Sequence, residues 1–278
     1  DEVSMLRADL LDAIDWTLRN VRDINEPYGG VQVLFIGDLF QLPPIMKPQE
    51  WSILHKYYSG IHFFNALVMK EKPPLYIELS KIYRQQDDDF IQILNHLRNN
   101  TLTSQDIEKL NKHVQPNFDP TKEEGYITLT THNAKADEMN ASALAALKGK
   151  STKFLAEVVD DFPNNLYPLD ETMELKIGAQ VMFIKNDLTL EKRFYNGKMA
   201  VVTKLDKDEI IVECVEDKKV IIVDPYEWEN VKYSTNSDTG EIEEEVVGTF
   251  VQYPLKLAWA ITVHKSQGLT FDKAVLEV

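Results

Sequence analysis

The sequence predicts an α/β protein with an antiparallel β module inserted into it, and three patterns carry this prediction. Strands and helices alternate up to about residue 150, as in a mostly parallel sheet covered by helices. Helical spacing then disappears over residues 151–252, where short β-rich segments are separated by acidic turns and are expected to close into a small barrel. Strand and helix character returns at 255–278, so the module interrupts the α/β part.

The α/β part follows from the spacing of its apolar residues. Helices are expected at 6–21, 90–97 and 133–147, and strands at 31–36, 75–79 and 126–131. Thr103 to Asp106 fits a capping box that begins another helix. Gly37-Asp38 ends the predicted strand at 31–36, and Pro43-Pro44 prevents a helix or a central strand after it. Because open parallel sheets bind ligands at the carboxyl ends of their strands, the loops after 36, 79 and 131 are the predicted site.

Composition excludes several classes of protein. The 278 residues are 44% hydrophobic, enough for a substantial core, and 30 basic against 45 acidic residues give a net charge of -15. Such a charge argues against a surface that attracts nucleic acid everywhere, but it is compatible with a local basic groove. No run approaches the roughly 18 apolar residues of a membrane span, and the acidic N-terminus has no signal-peptide character, so no membrane partner is expected. The single cysteine, Cys214, indicates a reducing compartment, and we expect a cytoplasmic protein.

Two short strings need separate interpretation. Asp1-Glu2 is the kind of acidic pair that holds magnesium and activates water in phosphate-transfer ATPases, although the apolar strand that should carry it is missing. Taken alone, the pair is better explained as negative residues near a helix start. Gly149-Lys-Ser-Thr152 resembles the end of a phosphate-binding loop. Its expected first glycine is Leu144, however, and it follows a helix where it should join a strand to a helix. A helix C-cap at Gly149 is the better interpretation.

Six strings in a fixed order resemble the petite-integration-frequency (Pif) helicases, superfamily-one motors that move 5′ to 3′ on DNA. They are Asp1-Glu-Val-Ser-Met5 with the following Arg7 to Asp15, Gly37-Asp-Leu-Phe-Gln-Leu-Pro-Pro44, Tyr83-Arg-Gln85, Asn133 with Asn140, Gly178-Ala-Gln-Val-Met182 with Asn186 and Asn196-Gly197, and Pro254 to Gly268. The resemblance runs from end to end. It implies P-loop NTPase motor domains of the RecA-like type and a Src-homology-three-like barrel as the inserted module. It also implies roles in DNA repair and recombination.

The resemblance implies an ATP site with Mg²⁺. Asp1 would hold the ion, Glu2 would activate water, and Gln41 would hydrogen-bond the γ-phosphate, for which its amide can donate and accept. Arg84 would reach the γ-phosphate from the second motor domain, where a guanidinium suits phosphate oxygens. A surface ion pair with Asp87 or Asp88 is the alternative for Arg84.

The resemblance also implies a track for single-stranded DNA. Thr262, His264 and Ser266 are expected to contact the strand, and Lys265 and Gly268 to lie nearer the nucleotide. These residues are expected between a buried strand and a helix N-terminus. The other expected DNA contacts are Phe40, Pro43, His132 and Asn133, because backbone contacts and ring stacking hold single strands without sequence preference. Trp259 is expected in the core, and Asn196-Gly197 is equally well explained as a turn.

These interpretations predict three parts and one specific deficiency. Residues 1–72 are expected to form the end of a first motor domain, 73–150 with 253–278 a second one, and 151–252 the inserted module. A glycine-rich phosphate loop and the family's last arginine motif are not found, so the chain alone is expected to hydrolyse no ATP. The expected partners are single-stranded and forked duplex DNA, bound by a monomer. The alternatives are a non-catalytic single-stranded-DNA-binding module and an interaction scaffold centred on the barrel.

Overall fold

A computed structural model describes residues 2–83, 87–235 and 242–277, which group into two compact units, Asp1–Gln115 and Pro116–Val278. The first unit contains five helices among its described residues: α1 (Ala8–Arg22), α2 (Pro48–Leu54), α3 (Leu67–Glu71), α4 (Asp88–Arg98) and α5 (Ser104–Asn111). The predicted helices at 6–21 and 90–97 and the capping box at Thr103 are confirmed. No helix among the described residues is long and apolar enough to cross a bilayer.

The core of the first unit is built around α1. Ala8 and Leu11 are buried on one face of this helix and pack with Tyr28 and Phe63. The next turn contributes Asp12, whose carboxylate accepts hydrogen bonds from the Leu67 and Val68 N–H groups at 2.9 and 3.0 Å. These two N–H groups open α3 and have no partner within the helix, so Asp12 satisfies them and favours the start of α3 at this position.

Two predicted strands are absent, and this is a correction to the sequence analysis. Residues 31–36 and 75–79 form no strand ladder among the described residues. Their apolar side chains are largely exposed, with Leu34 at 78% and Leu75 and Leu79 at 87% of full exposure. An apolar run predicts burial, but a strand also needs a hydrogen-bonded neighbour, and no such neighbour is paired with either segment.

The second unit contains a parallel sheet of three strands in the order β12–β1–β13. The strands are β1 (Tyr126–Thr130), β12 (Ala260–Thr262) and β13 (Lys273–Leu276), and the helix α6 (Asn133–Ala146) follows β1. The predicted strand at 126–131 and helix at 133–147 are therefore confirmed. The C-cap of α6 is Leu147 and not Gly149, so the predicted cap lies two residues too late, and Gly149 follows it with φ at +100°, a conformation that suits glycine.

Antiparallel strands fill the rest of the second unit in three separate sheets. They are β2 (Thr152–Leu155), β3 (Glu157–Asp160), β4 (Thr172–Leu175), β5 (Gln180–Phe183), β6 (Met199–Leu205), β7 (Ile210–Cys214), β8 (Val220–Val223), β9 (Tyr226–Thr235), β10 (Ile242–Gln252) and β11 (Leu255–Leu257). Five of them form one sheet in the order β11–β5–β6–β7–β8, while β3–β10–β9 and β2–β4 form the others.

The expected closed barrel is not found among the described strands. Closure requires the two edge strands of a sheet to pair, but β8 and β11 pair only with β7 and β5 respectively. β8 also alternates exposed Val220 and Ile222 with buried Ile221 and Val223, which is the pattern of an edge strand with one solvated face. The predicted antiparallel strands exist, but they form an open sheet.

Candidate functional site

The first unit brings Glu2 next to the loop that begins at Gly37. The Val3 N–H donates a hydrogen bond to the Ile36 carbonyl oxygen at 3.0 Å. Gly37 approaches this segment so closely that a Cβ atom at position 37 would lie 2.8 Å from the Val3 nitrogen. A larger residue would force the two backbones apart. Two segments of the predicted ATP site, at Glu2 and at Gln41, are therefore neighbours in space.

The loop after Gly37 is held by Asp38. Its Oδ1 atom accepts a hydrogen bond from the Phe40 N–H at 3.1 Å, and its carbonyl oxygen accepts one from the Gln41 N–H at 3.0 Å. Such a turn fixes the backbone without a helix or a strand. Gln41 and Pro43 are exposed, and Phe40 is 67% exposed.

Arg98, which the sequence did not single out, contacts this loop from the last turn of α4. Its guanidinium lies 3.3 Å from Asp38 Oδ1 and 5.1 Å from the centroid of the Phe40 ring. The contact combines an ion pair with a cation–π interaction. One face of an exposed aromatic ring is thus covered by a positive charge. Nothing in the local sequence around position 98 distinguishes this arginine from an ordinary helix C-terminal residue.

Two predicted site residues, Asp1 and Arg84, lie outside the described residues, as does Gln85. No group of three or more potential metal-binding side chains occurs within the part of the chain that the structure describes. A magnesium ion in a nucleotide site needs only one or two carboxylates, since water and phosphate supply its other ligands. The acidic character of the segment at Glu2 fits that requirement.

The second unit brings its predicted DNA contacts to one edge of the parallel sheet. β1 and β12 run parallel with Thr130 opposite Thr262, so both strands end at the same edge. His132 and Asn133 leave β1 there, and residues 263–268 leave β12. His132 and Asn133 are exposed, and the His132 Nδ1 atom lies 2.7 Å from the Thr131 hydroxyl oxygen. The loops after 131 and 262 therefore meet as predicted for a parallel sheet.

The segment after β12 is a series of turns, and this is a correction, because a helix N-terminus was expected here. The Ser266 N–H donates to the Thr262 carbonyl oxygen at 3.0 Å, and the Ser266 hydroxyl donates to the Val263 carbonyl oxygen at 2.8 Å. Tight turns satisfy these backbone groups without a helix. His264, Lys265 and Gly268 are exposed, whereas Thr262 is buried in the strand at 4% exposure.

Lys256, another residue that the sequence analysis passed over, lies beside Lys265. Burial lowers the pKa of Lys256, and the positive charge of Lys265 lowers it further, while Asp170 and Asp137 oppose the shift. Two neighbouring ammonium groups repel each other, which disfavours the charged form of Lys256. Lys265 is the exposed lysine of this pair, whereas Lys256 is half-buried.

Two buried carboxamides hold the backbone just before this edge. Asn140 Oδ1 accepts hydrogen bonds from the Trp259 and Ala260 N–H groups, both at 3.0 Å, and its Nδ2 donates to the Ala260 carbonyl oxygen at 2.9 Å. Gln180 Nε2 donates to the Ala258 carbonyl oxygen at 2.8 Å. Both residues belong to the six strings that resemble the Pif helicases, but the sequence assigns no role to either of them. Only the folded structure shows which groups they bind.

The remaining expectations in this unit concern Trp259 and Asn196-Gly197. Trp259 is buried at 7% exposure, as expected for a core residue. The Asn196 N–H donates to Asn186 Oδ1 at 2.8 Å, and Gly197 has φ at +99°. Asn196-Gly197 is thus a turn, anchored by Asn186, which was one of its two interpretations.

Comparison with known proteins first defines the class: the relatives of this chain are DNA helicases. Human ATP-dependent DNA helicase PIF1 is 30% identical over 98% of this chain and 40% of its own length. The crystal structure of a Bacteroides sp Pif1 in complex with ADP-AlF4 superposes with a TM-score of 0.86 at 41% identity, over 100% of this chain and 63% of that one. The chain thus spans less than two thirds of these relatives.

The family follows from the same comparisons. The model of the "PIF1-like helicase" family matches residues 1–108. The ATP-dependent DNA helicase Pif1 of Campylobacter jejuni is 27% identical over 100% of this chain and 62% of its own length. Residues 1–108 therefore match the PIF1-like helicase family, and the chain is homologous to Pif1 helicases along 98–100% of its length. The resemblance drawn from the sequence strings is confirmed, and the fold is the mixed α/β fold of these helicases.

Proposed function

We propose that this chain is part of an ATP-dependent helicase that moves 5′ to 3′ along single-stranded DNA and unwinds forked duplexes. The observation that supports this best is the meeting of the loops after β1 and β12 at one sheet edge, where exposed His132, Asn133, His264 and Lys265 converge. The relatives' names support the activity, and Bacteroides Pif1 has been crystallised with ADP-AlF3 and single-stranded DNA. A role in DNA repair and recombination and a cytoplasmic location remain predictions.

The first unit is proposed to contribute one wall of the nucleotide site. Glu2 activates the attacking water and Gln41 contacts the γ-phosphate, and the close approach of Gly37 to Val3 keeps their segments together. Asp1 is proposed to hold Mg²⁺, which when bound supplies positive charge to the phosphate oxygens, and Arg84 is proposed as the cationic finger. The three-part division into 1–72, 73–150 with 253–278, and 151–252 is likewise proposed.

The DNA track is proposed to follow the sheet edge of the second unit and the loop after Gly37 in the first unit. In the second unit, His264, Ser266, His132 and Asn133 contact the backbone, and Thr262 contributes through its strand. Lys265 is proposed, with Gly268, to lie on the nucleotide side, and its exposed ammonium group also offers a positive charge at this edge. In the first unit, Phe40 stacks on a base next to Pro43. Stacking and phosphate contacts together give the sequence-tolerant binding that a translocating motor needs.

Oligonucleotide titrations at several salt concentrations test the DNA contacts. Each lost phosphate contact makes the negative slope of log K against log salt shallower by about 0.7 for a single strand. If Lys265 attracts the DNA backbone, Lys265→Gln makes the slope shallower by about that amount. Lys207→Gln is the matched control, because Lys207 is an exposed lysine on the turn between β6 and β7. Equal slopes for both variants would remove Lys265 from the DNA track.

Unwinding assays with the complete protein distinguish a motor from a non-catalytic binding module. Forks with a 5′ tail should be unwound and those with only a 3′ tail should not. Glu2→Gln should abolish unwinding and leave single-strand binding intact, because only water activation is lost. If the unaltered protein binds single strands but unwinds no fork, the binding module is the correct alternative.

The expected monomer is tested in the same assay by varying protein concentration, since a forked-DNA structure describes two coordinating Pif1 helicases.

A further inference from the structure

We infer that Gln180 and Asn140 are positioning residues for the segment 263–268. Through these two side chains, the second unit fixes the proposed DNA contacts of that segment. The inference rests on the proposed function, because it assumes that this segment contacts DNA. Neither side chain reaches the exposed edge, since Gln180 is 4% and Asn140 is 5% exposed. They act through the backbone of residues 258–260, which leads directly into β12 and then into the segment.

Gln180 connects β5, a strand of the five-stranded antiparallel sheet, to the parallel sheet. Its main-chain oxygen accepts a hydrogen bond from the Ala258 N–H at 3.0 Å, and its Nε2 donates to the Ala258 carbonyl oxygen at 2.8 Å. The same Nε2 donates to the Tyr126 carbonyl oxygen at 2.7 Å, and Oε1 accepts from the Gly125 N–H at 3.2 Å. One side chain thus holds the start of β1 and the approach to β12 at a fixed separation.

Asn140, which lies in α6, fixes Trp259 and Ala260. The Trp259 and Ala260 N–H groups and the Ala260 carbonyl oxygen all bond to its carboxamide, while the Trp259 carbonyl oxygen accepts from the Thr128 N–H at 2.8 Å. From Ala258 to Ala260, every backbone N–H and C=O group therefore has a partner among the described residues. Because an unsatisfied buried polar group is costly, this stretch has a single favourable position.

The antiparallel sheet also supports the far end of the segment. Met182 and Met199 pack in one apolar cluster with Ile261, and Leu269 packs against this cluster. A Cβ atom at Gly197 would lie 3.0 Å from the Leu269 side chain, so this turn sits directly against the residue that follows the segment. Residues 263–268 are thus anchored on both sides by the same sheet. A shift of this sheet would displace His264 and Lys265 together.

Gln252 provides a matched control for Gln180. It is also buried, at 3% exposure, and its carboxamide also makes three hydrogen bonds to the main chain, with Phe154, Glu171 and Tyr253. None of these partners lies in residues 258–268, whereas Gln180 bonds to Ala258. Replacing either glutamine with leucine removes comparable interactions from the same unit. A purely structural role predicts equal consequences for the two variants.

Amide hydrogen exchange of the whole chain measures the positioning directly. Gln180→Leu should lower the protection of the Ser266 and Leu269 amides by about tenfold and weaken single-strand binding by a similar factor, whereas Gln252→Leu should leave both nearly unchanged. Equal protection of these amides in the two variants would overturn the inference. If the unaltered chain binds no single-stranded DNA, the proposed function fails, while the exchange comparison still decides whether Gln180 positions the segment.

Asn140→Asp gives a second test that does not depend on the folding of Gln180→Leu. An ionised aspartate still accepts from Trp259 and Ala260, but it cannot donate to the Ala260 carbonyl oxygen. Once protonated, the carboxyl group can donate there again. Protection of the Ser266 and Leu269 amides should therefore rise as pH falls through the pKa of the new carboxyl group, and the parent chain should show no such rise. A pH-independent protection factor in this variant would contradict the role of Asn140.

Discussion

At the scale of single residues, the proposed DNA contact with the sharpest test is Phe40. Stacking of one base on an aromatic side chain contributes about 1–3 kcal/mol, so Phe40→Leu should weaken single-strand binding by about 5- to 160-fold. Tyr57→Leu is the control, because Tyr57 is exposed to the same 67% in the same unit. Anisotropy titration with a labelled oligonucleotide measures both. Phe40 has no stacking role if the two variants bind equally well.

Residue types could be assigned from sequence, whereas most of their partners could not. Gln41, His264 and Lys265 were identifiable because they stand in long, ordered strings of the sequence. Arg98 was missed because Phe40, which it contacts, lies 58 positions earlier in the chain. Lys256 was missed because its place beside Lys265 depends on the turns that follow β12. Asn140 and Gln180 were noticed but could not be explained. Their hydrogen-bond partners lie more than 50 positions away along the chain.

At the scale of an element, α5 depends on its capping box. The Thr103 hydroxyl accepts from the Asp106 N–H, and the Asp106 carboxylate accepts from the Thr103 N–H and hydroxyl. Thr103→Ala should lower the free energy of unfolding of the first unit by about 1 kcal/mol at neutral pH, as measured in urea. Ser104→Ala, which removes the neighbouring exposed hydroxyl, should have a much smaller effect.

The same capping box predicts a pH dependence. Hydrogen bonds from Thr103, supported by His96, lower the pKa of Asp106 to about 2. A carboxylate with a lowered pKa stabilises the fold fully above its unfolded pKa of about 3.9, and this stabilisation is lost as pH falls through the folded value. The difference between the parent chain and Thr103→Ala should therefore shrink as pH falls from 5 towards 2. A difference that stays constant over that range would contradict this assignment.

Helices and strands differed in how well the sequence predicted them. A helix such as α1 satisfies its own backbone, so the spacing of its apolar residues was sufficient. A strand needs a second strand, and the runs at 31–36 and 75–79 are apolar without one among the described residues. The strands β5 to β8 were located correctly from their β-rich composition and the acidic turns between them. Their arrangement as an open sheet depends on which edges pair, and periodicity carries no information about that.

At the scale of the whole molecule, the 278 residues contain no Gly-x-x-x-x-Gly-Lys-Ser/Thr string. Backbone amides in such a loop cradle the phosphates of ATP. A purified polypeptide of these residues should therefore show no single-strand-stimulated ATP hydrolysis, as measured by phosphate release. Turnover that rises with oligonucleotide and disappears in Glu2→Gln would contradict this prediction. The Glu2→Gln control also separates a contaminating ATPase from activity of the chain itself.

The exposed apolar runs at 31–36 and 75–79 have a further consequence for the behaviour of the polypeptide in solution. Neither run belongs to a sheet among the described residues, and each carries exposed apolar side chains such as Leu34, Leu75 and Leu79. Exposed apolar segments without a strand partner pair with one another between molecules and nucleate aggregates. The colloidal stability of the isolated chain should therefore fall steeply with concentration, in spite of the net charge of -15 that keeps such molecules apart.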